Sequence, residues 1–521
     1  MAYTTLPGVR ITVANGFTSA ADATTDATTD RTLIVARAAG TANSTVLRDP
    51  SRIWKNESDV ISAFGRGSDV HVAFSSLVKG GAANIFISAT NPTPAHTSLP
   101  ADIEVAEATL TDITQDEYEL YLALEHASLC SPSMIVSYGY AANASVDNAS
   151  NTRLANYARI ITQKCEDLTL ESSPCFAVMS LATFEDYIED QEATKTDAVA
   201  LGTATATQTV FTDSLATKWV NAFPPVVKVD TVVQTKDKYY VDYDNASVTF
   251  FVAPGTGKVV TADDVYQVLI ADAYSGTYPV PASTVGSYVT YLTGSTASTT
   301  AKPHAIQYVL DSIETTANET GLSKFLVLIF GDVLLLNQTS QLGLGASEYI
   351  EAAGIVAGSI YRLDVSKAIT MEPLQNVTSL AFDLTPAQKL AIINKGVIPL
   401  SVSPRGLLVS TDGVSAAIAS ETGDVSVYNR LINLVIAHTV VRGVRSELEP
   451  FVGLTASTAR LNSIETKLRS YFLALKQNEV LKEVVFEMKY SITTSTLTVV
   501  MTIKPFGEFR DIDVTVDMVL E

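Results

Sequence analysis

The chain has 521 residues, and 35 lysines and arginines against 56 aspartates and glutamates give a formal net charge of −21 at pH 7. Hydrophobic residues make up 47% and charged residues 17% of the chain, which is typical of folded domains and excludes a disordered protein. The length is sufficient for about three or four domains. Because affinity for nucleic acids rests mainly on Lys and Arg, the acidic balance argues against a general nucleic-acid-binding protein.

The sequence also argues against a membrane-spanning or disulfide-stabilised protein. No run approaches the roughly 18 apolar residues that would span a bilayer. The first residues lack the basic and apolar regions of a signal peptide, so we expect none. The three cysteines, Cys130, Cys165 and Cys175, are too few and too scattered for a disulfide framework. We therefore expect them to be buried reduced thiols.

Residues 1–30 have the pattern of an arm joined to the main body by a linker. Val9, Ile11 and Val13 alternate with polar residues as in a short strand, after a turn signal at Pro7-Gly8. The stretch that follows repeats ATTD at 23–26 and 27–30, which is typical of a flexible linker. The arm is suited to reaching another molecule, and the alternative is a frayed terminus or an ordinary edge strand.

From residue 31 to about residue 200 the signals alternate between strands and helices. Short apolar strands are predicted at 33–36, 83–88, 134–137 and 174–179, with helices between them. The predicted helices cover residues 69–79, 116–130 and 153–168. This alternation indicates a partly parallel sheet covered by helices, and the same pattern returns between about 301 and 365.

Between about 201 and 300 the helix signals fade, and Thr- and Ser-rich strands are separated by Gly, Pro and Asn turns. Strands are predicted at 232–241, 247–252 and 264–269. We therefore expect an inserted all-β domain of roughly 100 residues.

The C-terminal domain, residues 366–521, has the clearest periodicity. One apolar stripe predicts a helix over 460–476, and three alternating strands follow it. The third of these has Ile512, Val514, Val516 and Met518 on one face, and it extends to the last residue. The predicted fold class is α+β multidomain: mixed α/β sheet domains, an inserted all-β domain and terminal arms that carry strands.

No intact catalytic or cofactor motif is found. APGTGK at 253–258 is similar to a phosphate-binding loop, but Val252 and Val259 replace the required Gly and Ser or Thr, so a hairpin loop is favoured. GLGASE at 343–348 has a glutamate at the third glycine position of a dinucleotide fingerprint. The acidic run from Asp242 lacks the glycine of a calcium loop. We expect no enzyme activity, no cofactor and no metal.

The histidines and the charge distribution complete the search for candidate sites. The five histidines are scattered, and His438 lies in an apolar helix pattern that favours a buried side chain bonded to backbone. Residues 428–490 contain nine basic and six acidic residues inside an otherwise acidic chain. The two interpretations are a normal solvated helix surface and a basic face that docks an acidic partner.

Five short segments resemble the tail sheath proteins of contractile-tailed bacteriophages and related contractile injection systems. LPGV at 6–9 is similar to the opening of sheath proteins, and AAGIVA at 352–357 to the start of one of their helices. LTPAQ at 384–388, NKGVI at 394–398 and RGLLV at 405–409 resemble three segments that follow in the family. The order of the segments is more specific than any single one.

The resemblance implies a structural subunit that polymerises as a helical tube around an inner tail tube and contracts to drive that tube through the host envelope. It implies that terminal arms add strands to the C-terminal sheets of neighbouring copies, here through the residues that alternate in the two arms: Val9, Ile11, Val13, Ile512, Val514, Val516 and Met518. The implied partners are other copies of this chain, the inner tail tube protein, and baseplate and tail terminator proteins. The implied location is the virion tail, after synthesis in the bacterial host cytoplasm.

Within this framework, the basic C-terminal segment is the candidate surface for contact with the tube. The candidate residues are Arg460, Lys467, Arg469 and Lys476, although their spacing prevents all four from sharing one narrow stripe. Some of them should pair with Glu465, Glu479 or a neighbouring subunit. The alternative functions are a non-contractile or host-binding tail protein, including a polysaccharide-degrading component, and a surface-layer-like shell protein. We expect no direct contact with nucleic acid and no membrane insertion.

Overall fold

The computed structural model describes residues 31–39, 47–91, 102–105, 108–111, 115–140, 150–170, 173–181, 194–213, 217–219, 225–234, 238–242, 246–269, 289, 322–344, 349–417, 427–491 and 496–506. Its α-helices, in chain order, are α1 (Glu57–Phe64), α2 (Asp69–Gly80), α3 (Gln115–Glu125), α4 (Ser150–Leu170), α5 (Gln338–Gln341), α6 (Ala353–Arg362), α7 (Pro386–Ile393), α8 (Leu431–Leu448) and α9 (Thr458–Gln477). None of the helices in these ranges has the length and apolar composition needed to cross a bilayer.

The strands form several separate sheets. In chain order they are β1 (Thr32–Arg37), β2 (Ile85–Thr90), β3 (Asp102–Val105), β4 (Ala108–Thr111), β5 (Met134–Ser137), β6 (Phe176–Ser180), β7 (Thr194–Thr203), β8 (Val210–Thr212), β9 (Thr217–Trp219), β10 (Val226–Val229), β11 (Val232–Val233), β12 (Tyr239–Asp242), β13 (Ser247–Phe250), β14 (Val259–Leu269), β15 (Leu326–Phe330), β16 (Asp332–Leu335), β17 (Ile350–Glu351), β18 (Val377–Leu380), β19 (Val397–Val402), β20 (Leu408–Ser410), β21 (Leu481–Ser491) and β22 (Thr496–Pro505). The chain thus combines helices and sheets, as the sequence predicts.

The largest sheet has seven strands in the order β2-β1-β5-β6-β15-β19-β20, and all but β20 are parallel. Helices cover both faces, with α3 and α4 against one hydrophobic core and α1, α2 and α6 against the other. The central strands are buried on both sides, so they are continuous apolar runs such as LVLIF in β15. Strands β19 and β20 belong to this sheet, which therefore continues past position 366, where the sequence predicts a new domain.

Helix boundaries follow from local capping chemistry. The Ser68 side chain accepts a hydrogen bond from the His71 amide at the start of α2, and Gly81 ends that helix in a left-handed conformation. Thr385 and Gln388 form a reciprocal capping box at the start of α7. Ser457 caps α9 by accepting from the Arg460 amide. Two of these capped helices, α2 and α9, are predicted by the sequence over 69–79 and 460–476, and their observed bounds lie within two residues of those.

Residues 194–269 form two antiparallel sheets around a separate hydrophobic core that contains Phe211, Trp219 and Val248. A single strand over 232–241 is wrong, because Val232–Val233 pairs back onto β10 through a tight turn. Asp230 and Thr231 at this turn both have positive φ, at 49° and 69°, which suits a two-residue hairpin. The turn contains no glycine, so its sequence signal is weak.

The carboxyl ends of β1 and β5 meet where the strand order reverses, which is the usual place for a ligand crevice in an open parallel sheet. Here the chain's own side chains fill that position. Arg37 is 7% exposed, and its guanidinium donates to the Gly139 carbonyl at 2.6 Å and to the Asp116 carboxylate at 3.3 Å. Its guanidinium carbon also lies 4.5 Å from the centre of the Tyr140 ring. The crevice position is therefore part of the core.

Candidate functional site

Strands β21 and β22 form a long hairpin at the C-terminal end of the described chain. They pair antiparallel from Leu481–Pro505 to Ser491–Thr496. One face packs on α9, where the Phe486 ring centre lies 5.4 Å from that of Phe472. Leu481 and Ile503 are 0% and 2% exposed at the end of this core. The alternating sequence thus gives each strand one apolar face, as predicted.

The other face of the hairpin is open to solvent and is not wholly polar. Val485 and Val500 are 60% and 55% exposed, one on each strand. Sequence alternation places both valines on the polar face, but it gives no reason for apolar residues there. Isolated exposed valines are ordinary, so they are not by themselves a binding site.

The edges of the hairpin are its most unusual feature. Among the described residues, β21 pairs only with β22, and β22 only with β21. Over residues 482–490 and 497–505, one row of backbone N–H and C=O groups on each strand therefore has no strand partner within the described part of the chain. Folded proteins normally cover, shorten or bend such edges, because they template pairing with another strand. As far as the structure describes the chain, the hairpin thus has two edges of the kind to which a further strand can pair.

The predicted arm residues Val9, Ile11 and Val13, and Ile512, Val514, Val516 and Met518, lie outside the described residues. Their role as added strands stays a prediction. The helix predicted over 460–476 is present as α9, and it carries all four residues proposed to face the tube.

Two of these four basic residues already have acidic partners within the chain. The Lys467 ammonium lies 2.8 Å from the Glu447 carboxylate on α8, and the Arg469 guanidinium donates to Glu465 on its own helix at 2.7 Å. Arg460 donates to the Thr455 carbonyl at 2.7 Å beside the start of α9. Lys476 is exposed at the end of α9. The sequence analysis expects some of the four to pair with Glu465 or Glu479, and Arg469 does pair with Glu465.

A groove of about 470 Å³ lies between the end of α8 and the outward face of α9. Its side chains are uncharged, among them Asn462, Thr466 and Ser470, apart from the Glu447–Lys467 ion pair. Because these two charges neutralise each other, the groove offers no net charge to a ligand. No group of three or more potential metal-ligating side chains occurs anywhere in the described ranges.

The segments that are similar to cofactor motifs have other roles in the structure. Residues 253–258 connect strands β13 and β14, and no helix follows them. The Lys258 ammonium lies 2.5 Å from the Asp230 carboxylate across the sheet instead of facing a phosphate site. Gly343 follows helix α5, whereas a dinucleotide fingerprint requires a preceding strand. The prediction of a hairpin loop at 253–258 is wrong, because β13 and β14 belong to two different sheets and the segment crosses from one sheet to the other.

Helix α8 joins the hairpin region to the amino-terminal edge of the large sheet. The Arg442 guanidinium donates to the carbonyls of Pro132 and Pro174 at 2.7 and 2.6 Å, just before β5 and β6. One turn away, His438 is buried, and its ring centre lies 5.9 Å from that of Phe176. Sequence analysis missed Arg442, because nothing local distinguishes it from a solvated arginine.

His438 is buried as predicted, but its Nδ1 atom has no hydrogen-bond partner among the described residues. Burial, together with the positive charges of Arg442 and Lys324, lowers the pKa of His438 from 6.5 to about 3. The three cysteines are buried and unpaired, with Sγ of Cys165 and Cys175 3.9 Å apart. Burial raises the pKa of Cys130 to about 12, so its thiol is unreactive.

We expect His438 to make the fold acid-sensitive. A histidine whose pKa is depressed on folding contributes stability that is complete above its unfolded pKa of 6.5, and that is lost as the pH falls from 6.5 toward 3. The free energy of unfolding should fall by roughly 2 kcal/mol between pH 6.5 and pH 5 from this group alone, at about 1.4 kcal/mol per pH unit.

Urea unfolding at both pH values measures this effect. His438→Gln removes the titrating group, so the free energy of unfolding of this variant should no longer fall by those roughly 2 kcal/mol between the two pH values. His126→Gln, at an exposed position, should show the same decrease as the wild type. If the free energy of unfolding fell equally in the wild type and in His438→Gln, His438 would not be the source of the acid sensitivity.

No family model matches this sequence, and no curated protein matches it. Solved structures do match. The contracted helical sheath of the anti-feeding prophage has a TM-score of 0.48 at 12% identity, with 99% of this chain and 100% of that chain covered. The contracted PVC sheath complex of an extracellular contractile injection system has a TM-score of 0.45 at 10% identity, over 99% and 98%. The sheath tail protein of Listeria innocua has a TM-score of 0.37 at 9% identity, with 95% of this chain and 93% of that chain covered. Two of these three structures are contracted sheaths, and the third is a sheath tail protein.

Proposed function

We propose that this chain is the structural subunit of a contractile tail sheath, which polymerises as a helical tube around an inner tail tube and contracts to drive it through the host envelope. The observation that carries the proposal is the C-terminal hairpin, neither edge of which pairs with another strand among the residues that the structure describes. Both ends of the sequence have alternating apolar residues that suit strands added to such edges. Main-chain hydrogen bonds of this kind can keep subunits linked while they rotate.

The large sheet supports a structural role over an enzymatic one. The position where its strand order reverses is filled by Arg37 and its partners, so a substrate could enter there only by displacing the buried Arg37 guanidinium from the Gly139 carbonyl and from the partly buried Asp116. The proposed partners are other copies of this chain, the inner tube protein, and baseplate and terminator proteins. We also propose that the inserted all-β domain predicted over 201–300, whose described strands lie within 194–269, is on the outside of the tube.

Assembly of the purified full-length chain tests the function. Negative-stain microscopy should show hollow helical tubes, either from the chain alone or with its tube protein. Heterologous contacts that do not close into a ring produce open helical filaments of this kind. Flat sheets or closed particles would instead support a surface-layer-like shell protein. A compact monomer at high concentration that cleaves a glycan would support the alternative of an enzymatic, host-binding tail component.

Contact with the inner tube is proposed for the basic face of α9, through Arg460, Lys467, Arg469 and Lys476. Since Lys467 and Arg469 have intramolecular partners, Lys476 is the sharpest probe. Lys476→Glu should weaken co-sedimentation with the tube protein. The control is Lys55→Glu, at an exposed position far from α9 in the sequence, which should leave co-sedimentation unchanged.

The same contact should weaken between 0.1 and 1 M salt, because the Debye length shrinks from about 10 to about 3 Å. Each exposed pair contributes only roughly 0–1 kcal/mol, but the contacts repeat along the tube. Binding that is indifferent both to salt and to Lys476→Glu would contradict a tube-facing basic surface.

A further inference from the structure

Cys165 and Cys175 form a pair of thiols that the proposed function does not use. Cys165 lies on α4, and Cys175 directly precedes β6. Both residues are 0% exposed, and their Sγ atoms are 3.9 Å apart, which is van der Waals contact between sulfurs. Cys130, the third cysteine, lies in the same hydrophobic core. This core therefore contains three thiols, two of them in direct contact.

One hydroxyl group holds the backbones of the two cysteines beside each other. The Thr169 hydroxyl donates to the Cys165 carbonyl at 2.7 Å and accepts from the Cys175 amide at 3.4 Å. The Ser173 amide donates to the Leu168 carbonyl at 2.8 Å, which turns the chain back at the end of α4. Since these bonds fix the backbone on both sides of the pair, a bond between the sulfurs requires movement of the side chains alone.

The spacing of the two sulfurs suits a disulfide. In a disulfide the sulfurs are about 2.05 Å apart, so they would have to approach each other by roughly 2 Å. Rotation about the two Cα–Cβ bonds can supply such a movement. A metal ion fits less well, because structural zinc takes four ligands, and no group of three potential ligands occurs among the residues that the structure describes.

We propose that Cys165 and Cys175 are a modification site, at which a peroxide joins α4 to the start of β6 through a disulfide. One sulfur, as a thiolate, attacks a peroxide oxygen, the O–O bond breaks, and a sulfenic acid and water form. The other sulfur then attacks the sulfenic sulfur, so that the S–S bond forms, the S–O bond breaks and a second water leaves. In sum, both thiols are oxidised to one disulfide, and hydrogen peroxide is reduced to two molecules of water.

Proximity, and not acidity, distinguishes this pair from Cys130. Burial raises the pKa of both Cys130 and Cys165, so neither thiol is favoured by an easily formed thiolate. Cys165 and Cys175, however, each have a sulfur in contact that can react with a sulfenic acid as soon as it forms. Hydrogen peroxide is little larger than water, so a small opening of the core is sufficient for its entry.

Peptide mapping of the folded full-length chain tests the proposal. The chain is treated with hydrogen peroxide, unfolded in guanidinium with N-ethylmaleimide to label free thiols, and digested with trypsin. Cleavage after Lys164 and Lys195 releases residues 165–195 as one peptide that contains both members of the pair. Cys130 lies on a different peptide, residues 80–153. Mass spectrometry then reports the state of the pair and of Cys130 separately.

We expect three maleimide labels per chain before peroxide treatment and one label, on Cys130, after it. The unlabelled peptide 165–195 should be about 2 Da lighter than its reduced form, through the loss of two hydrogen atoms. Dithiothreitol should restore the labels on both cysteines. Cys130→Ala should behave like the wild type, whereas Cys165→Ala, an equally buried change in the same core, should keep the label on Cys175.

The disulfide should also raise the midpoint of thermal unfolding by a few degrees, because a covalent link restricts the unfolded chain. Cys130→Ala should show the same rise after peroxide treatment, and Cys165→Ala should show none. Far-UV circular dichroism before and after treatment verifies that the reaction takes place in the folded chain.

Four results would overturn the proposal. Peroxide could leave all three labels in place, or it could link peptide 80–153 to peptide 165–195. It could add oxygen atoms to the cysteines of peptide 165–195 without forming a disulfide. The fourth result is a disulfide that forms only in the urea-unfolded chain, since the fold is what brings the two sulfurs together.

Discussion

Gly358→Ala is expected to destabilise the fold by about 3 kcal/mol, the upper part of the usual range for overpacking a core. A Cβ at Gly358 would lie 2.4 Å from the Leu77 carbonyl oxygen and 2.8 Å from Cα of Gly80. Both neighbours are backbone atoms, so helices α2 and α6 would have to separate. In a solvent-exposed helix, Gly→Ala would raise the free energy of unfolding by about 1 kcal/mol through helix propensity. At Gly358 we expect the opposite effect, because the added Cβ meets backbone atoms.

The midpoint of urea unfolding, followed by far-UV circular dichroism, measures the effect. Thr466→Ala, at an exposed position on α9, is the control and should stay within about 0.5 kcal/mol of the wild type. If Gly358→Ala stabilised the protein instead, the two helices would not be held at backbone contact, and the description of this face of the sheet would be wrong.

Deleting residues 511–521 is expected to abolish tube formation while leaving the rest of the chain folded. The described core is complete without these residues, because α9 and the β21–β22 hairpin already share a packed interior. What the deletion removes is the strand proposed to enter a neighbouring copy. Val516→Asp should act in the same way, since it places a charge on the face that packs against the sheet.

Sedimentation and negative-stain microscopy measure assembly, and circular dichroism measures folding. Val516→Ile keeps the apolar face and should assemble like the wild type. Normal tubes from the truncated chain would exclude strand exchange by the C-terminal arm, and loss of folding would show that the segment belongs to the core of its own chain.

Local patterns predict the helices and the hairpin well. The stripe of α9 and the alternation in β21 and β22 each extend over at least ten residues, and caps such as Ser457 fix the ends. Long-range pairing is a different matter. Nothing within residues 397–410 indicates that β19 and β20 extend the sheet begun by β1, because that contact is set by packing between distant segments.

At the candidate site, too, local features can be predicted from the sequence, whereas contacts between distant segments cannot. The sequence predicts alternating strands at both termini and a basic C-terminal helix, but it does not predict which charges are already neutralised. Lys467 meets Glu447 only because α8 and α9 cross, and Arg442 reaches two carbonyls that lie about 270 and 310 positions away in the chain. Arg37 likewise fills the position at the carboxyl ends of β1 and β5 only because the fold brings Asp116 and Gly139 next to it.

The proposed addition of a strand at each edge of the hairpin also has a consequence for how copies are connected. A copy that accepts one strand at each edge and donates one from each terminus is joined to its surroundings by four links, so it is a four-valent node in a network. A net of such nodes stays continuous when a single copy is lost, because force is redistributed through the remaining links. A polymer held at one edge alone would be a chain, and a single broken junction would divide it.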